Sequence, residues 1–232
     1  MLFSFFFISI SLANTITSVL VGYSESKRPV YMEKINDSAQ SILIIAVIHG
    51  NEWSGYPLLR SFLEEIDSNQ NLSKNISLLL LPLANPDAYA IDRRNNLNWV
   101  DINRNFPADN YGKSRRDGES SFSEKESQII YNIVEKYGVE GIVVFHEPFD
   151  CIDYNGPAQK WAEFVGMESQ LPVKKLSEMS GSIGSYFGKN RNIPVLTIEL
   201  PAYSHVKSVD YLWETYQHLL FQIAGFWKEN SD

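Results

Sequence analysis

The hydrophobic residues of this chain cluster in short apolar runs, and polar stretches with helical spacing alternate with them along the sequence. Runs of this length are too short to cross a membrane and are typical of strands that are covered on both faces. They predict strands at residues 30–34, 42–48, 76–83, 141–145 and 194–200.

Between these runs, apolar residues spaced three and four positions apart predict helices. Ser54 and Ser123 are candidate N-terminal caps for the first two of them. The helices are expected at residues 54–67, 123–137, 158–166 and 209–227, with a short helix or turn at 182–187. Strands alternating with helices predict an α/β fold: a single domain whose central mixed, mainly parallel twisted sheet is flanked by helices on both faces.

The composition narrows the class of protein. A length of 232 residues without a linker-like tract suits one large domain. The formal net charge of −8 argues against nucleic acid as a partner. Cys151 is the single cysteine, which excludes an internal disulfide and a CxxC metal site. The oligomeric state is not determined by these features.

The N-terminus carries a possible leader. Residues 2–13 are apolar and serine-rich, and Ser11-Leu12-Ala13 is similar to the end of a signal peptide, but no Lys or Arg precedes the run. We therefore expect a possible signal peptide at 1–13 and a catalytic domain at 14–232, with a buried N-terminal strand as the alternative. A genuine leader would imply a periplasmic or secreted protein without stable membrane insertion, and otherwise the protein would be cytoplasmic.

Polar residues follow two of the apolar runs directly. His49 and Glu52 come after the run at 42–48, and His146 follows the run at 141–145. In sheets of this kind, ligands bind at the carboxyl ends of the strands. Two imidazoles and one carboxylate are ligands for a catalytic zinc, because three protein ligands leave a fourth position for water. The sequence therefore predicts a zinc site.

The other histidines and one acidic residue need separate interpretation. His218 lies within the predicted C-terminal helix, where a surface or packing role is the simplest interpretation, and His205 lies in a loop. Glu199 lies inside the apolar run at 194–200. A carboxylate in such a run is costly unless it is paired or functional, so Glu199 is a candidate catalytic residue.

The order and spacing of these residues resemble the zinc metallocarboxypeptidases of the carboxypeptidase A type. The motifs that carry the resemblance are His49-Gly50-Asn51-Glu52, Asn85-Pro86-Asp87-Ala88-Tyr89, Arg94, Asp101-Ile102-Asn103-Arg104-Asn105-Phe106-Pro107, His146 and Thr197-Ile198-Glu199-Leu200-Pro201. The resemblance implies one Zn²⁺ per chain, held by His49, Glu52 and His146. It also implies that Glu199 is the general base and that Arg94 polarises the substrate carbonyl.

The same resemblance implies how substrate is held. Asn103 and Arg104 match the pair that binds a substrate carboxylate, and Gly184 falls in the segment that lines the side-chain pocket. The chemistry agrees, because a guanidinium binds a carboxylate through two hydrogen bonds. An arginine can also stabilise a developing oxyanion, and a carboxylate can move the water proton.

Within the family, the chain is most similar to the short bacterial branch of murein peptide amidases. The similarity lies in His146-Glu147-Pro148 and in residues 181–187. That branch cleaves the γ-D-glutamyl–meso-diaminopimelate bond of murein peptides. The tyrosine that caps the substrate carboxylate in digestive enzymes has no counterpart before residue 181. Carboxylate binding is therefore expected to rely on Arg104 and Arg94, or on Tyr186 or Tyr203 as a replacement.

Two further departures concern Ala88 and Trp99, which stand where glycines are usual, so the loop backbone is expected to differ there. The favoured interpretation is a zinc-dependent amide hydrolase acting on carboxylate-bearing murein peptides. A general metallocarboxypeptidase and an N-acyl amino-acid deacylase of the aspartoacylase kind share the chemistry and stay open. A catalytically dead peptidoglycan-binding module is the alternative from another class.

Overall fold

The computed structural model describes residues 14–68, 76–202 and 206–229. The possible signal peptide, Tyr203 and His205 lie outside the described residues, and the predictions about them stay predictions. Within the described ranges, none of the helices combines the length and the apolar character needed to cross a membrane.

A seven-stranded sheet forms the centre of the fold, with the spatial order β1-β2-β4-β3-β5-β7-β6. Strands β4, β3, β5 and β7 are parallel to one another, and β1, β2 and β6 pair in the antiparallel sense. The strands are β1 (Ile16–Tyr23), β2 (Pro29–Ile35), β3 (Ser41–Ile45), β4 (Ser77–Leu81), β5 (Gly141–His146), β6 (Phe149–Asn155) and β7 (Val195–Pro201). The predicted mixed, mainly parallel sheet is confirmed.

Helices cover both faces of the sheet. They are α1 (Gly55–Ser68), α2 (Pro86–Ala90), α3 (Lys125–Tyr137), α4 (Gln159–Gly166) and α5 (Val209–Glu229). One hydrophobic cluster includes Phe62 of α1, Trp161 of α4 and Leu220 of α5. The other includes Ile130 of α3 and Phe187 of a π-helical segment, Gly184–Asn190. Helices on both faces are confirmed.

Burial on both faces explains the apolar runs. Every residue of β3 and of β5 is buried. Ile42 and Ile44 belong to the first cluster, whereas Leu43 and Ile45 belong to the second, because successive side chains of a strand point to opposite faces. Fully burying such a side chain contributes about 1.5–3 kcal/mol, so the central strands anchor the fold.

Two strands were not predicted. β1 lies at one edge of the sheet and mixes exposed with half-buried residues, and it therefore lacks a continuous apolar run. β6 lies at the other edge and contains Asp150 and Asp153. Both strands are held by pairing with a neighbour, which composition alone does not indicate.

The predicted helix caps are wrong, although the helices themselves are confirmed. The hydroxyl of Ser54 is buried without a hydrogen bond, and its backbone N–H donates to Glu147 Oε1 at 3.1 Å. Helix α3 begins one residue after Glu124, and the Ser123 hydroxyl donates to the Glu124 carboxylate at 2.6 Å. Neither serine hydroxyl therefore accepts a hydrogen bond from the first turn of its helix, as a cap would require.

Candidate active site

The backbone after β3 brings His49 to the carboxyl end of the parallel strands. Val47 has a φ of 54°, which ends the extended path two residues before the histidine. At Gly50, a Cβ atom would lie 2.1 Å from the carbonyl carbon of Ala88. Only glycine allows this approach of the two backbones, so the sequence His-Gly is needed to aim the imidazole into the site.

The three predicted zinc ligands lie together. The Nδ1 atoms of His49 and His146 lie 2.9 Å and 2.7 Å from the same oxygen, Glu52 Oε2. One ligand atom from each residue falls within 4.8 Å of the others, and all three residues are buried. This donor set fits a catalytic zinc, since two imidazole nitrogens and a carboxylate leave a coordination position open.

Asp101 is a site residue that the sequence analysis missed. Its Oδ1 atom lies 2.8 Å from Nε2 of His49, and it also accepts the backbone N–H of Asn103 at 3.1 Å. A carboxylate on the second ring nitrogen orients a histidine ligand and selects its tautomer. The acidic first residue of the Asp-Ile-Asn-Arg motif was the available signal for this role.

The pKa values of His49, Glu52 and Asp101 depend on one another. Burial favours the neutral acid, but His49 and His146 hold the pKa of Glu52 well below its usual range. Burial acts the same way on Asp101, yet His49 and Arg94 also leave its pKa far below the usual range. Burial opposes charge on His49, whereas Glu52 and Asp101 raise its pKa. Both carboxylates are therefore ionised at neutral pH, as a cation site requires.

Arg94 reaches this cluster from the polar segment. Its guanidinium donates to Glu52 Oε1 and to Asp101 Oδ2, the latter at 3.2 Å from Nη2 and 3.3 Å from Nε. The side chain is 43% exposed and lines the same cavity as the three predicted metal ligands. The predicted catalytic arginine thus lies beside the predicted metal ligands.

Asn103 and Arg104 also line the cavity. The amide nitrogen of Asn103 lies 3.1 Å from His146 Nε2, and its Oδ1 accepts the backbone N–H of Ile183 at 3.0 Å. Arg104 donates to the Asn103 carbonyl at 2.6 Å, but its Nε is buried without a partner among the described residues. Burial lowers the pKa of Arg104, although the guanidinium stays charged.

Glu199 lies on β7 directly opposite His146 of β5. The residue is 7% exposed and lines the same cavity as the predicted metal ligands. Burial raises its pKa, and the backbone N–H of Phe149 donates to Oε2 at 3.5 Å. A carboxylate with a raised pKa beside a metal site suits proton transfer near neutral pH.

The cavity has a volume of about 260 Å³. Gly184 lines it as predicted, and a Cβ atom at this position would lie 2.3 Å from Asn155 Oδ1. A further part of the lining, which we call the far wall, is formed by Asp153, Asn155, Leu176, Ser177, Glu178, Met179, Ser182, Ile183, Gly184 and Thr197. The sequence analysis assigned no role to Asp153 or Asn155, because β6 was not recognised as a strand.

Tyr186, predicted to bind substrate, does not line this cavity. Its ring packs against Phe106, Phe122 and Phe187, with centroid distances of 6.4, 5.7 and 4.8 Å. Tyr186 lies two residues after Gly184 in the same helical segment, and its side chain packs against the hydrophobic core instead of the cavity. The structure therefore places Tyr186 in the aromatic cluster and not in the cavity lining, and its role in binding substrate stays a prediction.

The two departures from glycine have different consequences. Ala88 is buried within α2, and its backbone N–H bonds to Asn85 Oδ1 at 3.2 Å, so alanine fits without disturbance. Trp99 has a φ of 63°, the left-handed region that glycine favours. Its ring lies 4.2 Å from the guanidinium carbon of Arg93, a cation–π contact that offsets part of the strain.

Comparison with known proteins agrees with this geometry. A family model of zinc carboxypeptidases matches residues 10–155, which is more than half of the chain. The chain belongs to the zinc carboxypeptidase family. It is accordingly a zinc-dependent hydrolase of the metallopeptidase class, and the predicted enzyme class and cofactor are confirmed.

Individual relatives include amidases that act on murein peptides. Murein peptide amidase A of Escherichia coli (strain K12) is 29% identical over 185 residues, covering 72% of this chain and 74% of that protein. The crystal structure of murein-tripeptide amidase MpaA from Escherichia coli O157 has a TM-score of 0.71 and 25% identity, covering 90% of each chain. Carboxypeptidase A from Helicoverpa armigera shares the fold, with a TM-score of 0.75, 22% identity and coverage of 93% of this chain and 70% of that one.

Proposed function

We propose that this protein hydrolyses the γ-D-glutamyl–meso-diaminopimelate bond of murein peptides and releases a residue that bears a free carboxylate. One observation carries the proposal: the His49–Glu52–His146 cluster shares a single cavity with Glu199 and Arg104. The similarity to murein peptide amidases supports the choice of peptide.

In this proposal His49, Glu52 and His146 hold the zinc. When bound, zinc acidifies a water molecule and polarises the scissile carbonyl. Asp101 keeps the ring of His49 in the orientation that presents Nδ1 to the site, through the 2.8 Å contact at Nε2. The ligand geometry therefore rests on a residue outside the ligand set.

Glu199 acts as the general base. Its carboxylate takes a proton from the attacking water and delivers it to the leaving nitrogen, which balances the proton over the reaction. Burial raises the pKa of Glu199 towards neutral pH, where the carboxylate can both accept and release a proton. The backbone N–H of Phe149 orients the carboxylate.

Arg104 and Arg94 bind two different negative charges of the reacting substrate. The buried Arg104 guanidinium, with its Nε unpartnered, receives the free carboxylate of the released residue. Arg94 lies beside the metal ligands and stabilises the oxyanion that develops on the attacked carbonyl. The presence of a base and both arginines supports an enzyme over a catalytically dead binding module.

The free carboxylate offers the sharpest test. Purified zinc-loaded protein is given a γ-D-glutamyl-diaminopimelate peptide and the same peptide with the carboxylate beside the scissile bond amidated. We expect the amide to be cut roughly a hundredfold more slowly, because it leaves the buried Arg104 unpaired. Arg104→Ala should narrow this gap.

Two results would contradict the proposal. Equal rates for acid and amide would make Arg104 a structural residue of the polar segment. Faster cleavage of an α-linked dipeptide than of the γ-D-glutamyl peptide would favour a general carboxypeptidase. An exposed arginine away from the cavity serves as the matched control, and Arg115→Ala should leave the acid-to-amide ratio unchanged.

A further inference from the structure

The pairing between β3 and β5 ends before the residues that hold the metal. The last paired residues are Ile45 and Val144. Beyond Ile45, the next backbone hydrogen bonds of the chain run to the β4 side instead. Residues 49–54, which we call the ligand turn, therefore reach the metal site without a strand ladder between them and His146 of β5.

Glu147, the residue after His146, contacts the ligand turn twice. Its side-chain Oε1 accepts the backbone N–H of Ser54 at 3.1 Å. Its backbone N–H donates to Glu52 Oε2 at 3.4 Å. That oxygen is the one that both imidazole Nδ1 atoms approach. One residue beside the third ligand therefore contacts both the ligand carboxylate and the backbone two residues after it.

The side-chain contact also serves the start of α1. Ser54 directly precedes the helix and is buried, and its hydroxyl has no hydrogen bond within the described ranges. The first N–H groups of a helix lack partners within the helix, and a carboxylate is favoured beside them. At Gly55 a Cβ atom would lie 2.7 Å from the Cβ of Phe145, so the first residue of α1 packs directly on β5. Glu147 therefore supplies, from the end of β5, the acceptor that Ser54 does not.

Coordination of the metal by Glu147 itself is a weaker interpretation. Among the described residues, the side chains close enough together to share a metal ion are His49, Glu52 and His146. Glu147 also lines the cavity, so contact with substrate is the other alternative. Its Oε1 accepts the N–H of Ser54, however, and a buried N–H that loses its acceptor is costly. The hydrogen bonds favour a role in holding the ligand turn.

We propose that Glu147 is a positioning residue that sets the affinity of the metal site. Its carboxylate holds the ligand turn against the end of β5, so that His49 and Glu52 stay at the distance from His146 that a shared ion requires. Groups that orient metal ligands without binding the metal typically contribute about ten- to hundredfold in metal affinity. The inference goes beyond the proposed function, because it holds whichever peptide is cleaved.

Three substitutions separate the hydrogen bond from the charge. Glu147→Gln retains an oxygen that can accept the Ser54 N–H, Glu147→Asp keeps the charge on a shorter side chain, and Glu147→Ala removes both. Zinc dissociation constants are measured by competition with a chromophoric chelator. We expect Glu147→Ala and Glu147→Asp to bind zinc about ten- to hundredfold more weakly than wild-type protein. Glu147→Gln should stay within about threefold of wild type, because its amide oxygen accepts the same N–H.

A second readout reports the ligand geometry without any substrate. Co²⁺ replaces zinc, and its visible absorption spectrum depends on the arrangement of the ligands around it. The spectrum should change in Glu147→Ala and match wild type in Glu147→Gln. Thermal unfolding of the metal-free proteins shows which variants are folded, and Glu147→Asp carries the test if Glu147→Ala is not. Glu140→Ala is the matched control and should change neither readout, because Glu140 is exposed just before the opposite end of β5.

The outcomes separate this inference from the proposed function. Wild-type zinc affinity and an unchanged Co²⁺ spectrum in folded Glu147→Ala would overturn the inference. Wild-type affinity in Glu147→Asp with weak binding in Glu147→Gln would also overturn it, because charge and not the hydrogen bond would then matter. A higher KM with unchanged zinc affinity would make Glu147 a substrate contact instead. Failure to cleave a γ-D-glutamyl peptide would reject the proposed function alone, since the metal measurements need no substrate.

Discussion

The two ends of the active-site cavity are built from different parts of the sheet. At the metal end, His146 and Glu199 project from the parallel strands β5 and β7, and His49 follows β3. At the far wall, Asp153 and Asn155 project from the antiparallel edge strand β6. On the proposed function, we expect this difference to separate chemistry from selectivity: the central strands would carry the reacting groups, and the edge strand would contact the substrate side chain.

This division implies that substitutions at the metal end abolish turnover for every substrate. His146→Ala removes one of the predicted ligands, and we expect loss of zinc together with at least a thousandfold loss of rate, since metal-ion catalysis contributes several kcal/mol. Elemental analysis and hydrolysis assays measure the two effects. His218→Ala, at an exposed position of α5, is the control. Stoichiometric zinc in His146→Ala would remove His146 from the ligand set.

Glu199→Gln should separate metal binding from proton transfer within the same end of the cavity. The amide cannot accept the water proton, so the rate should fall about a hundredfold to ten-thousandfold while zinc stays bound. Zinc content and single-turnover rates measure this. Turnover close to that of wild-type protein would show that another group activates the water.

At the far wall, the expected effect is smaller and depends on the substrate. In Gly184→Ala the new Cβ would lie 2.3 Å from Asn155 Oδ1 and would push that amide into the cavity. We expect KM for long side chains to rise about tenfold, in line with overpacking costs of 1–3 kcal/mol, with zinc retained. Adding Asn155→Ala should restore KM. If the double variant is no better than the single one, the Asn155 contact is not the cause.

A buried acid outside the cavity distinguishes the effect of burial from that of function. Burial raises the pKa of Glu126 above its ordinary value of 4.5. The bound proton therefore stabilises the fold fully below pH 4.5, and this contribution is lost as pH rises through the raised pKa. Glu126→Gln should be more stable than wild-type protein by about 1 kcal/mol at pH 7 and equally stable near pH 4. Urea unfolding at the two pH values measures this, and a pH-independent difference would contradict it.

The metal end could be predicted from local patterns. His49, His146 and Glu199 each follow or interrupt an apolar run, and such runs form buried parallel strands whose carboxyl ends meet at one edge. The resemblance to zinc carboxypeptidases drew on the same residues. Asp101 was missed because its contact with His49 joins positions 52 residues apart, so the motif marks the acidic residue but not its partner.

The far wall could not be predicted in the same way. Phe149–Asn155 alternates acidic, apolar and polar residues, so its composition does not indicate a strand. Tyr186 was a candidate replacement for the missing carboxylate-capping tyrosine, whereas its ring lies in an aromatic cluster with Phe106 and Phe122. Which way a side chain points in a helical turn depends on what packs against that turn.

The sequence by itself determined the α/β class and the chemistry of the site. An apolar run predicts a buried strand, and the polar residues that follow it lie at the carboxyl end of that strand. Only the tertiary structure decided what surrounds that chemistry. The pairing of β6 with β7 places Asp153 opposite Thr197 and thus on the floor of the cavity. A one-residue slip in that register would turn Asp153 to the other face of the sheet, since side chains alternate along a strand.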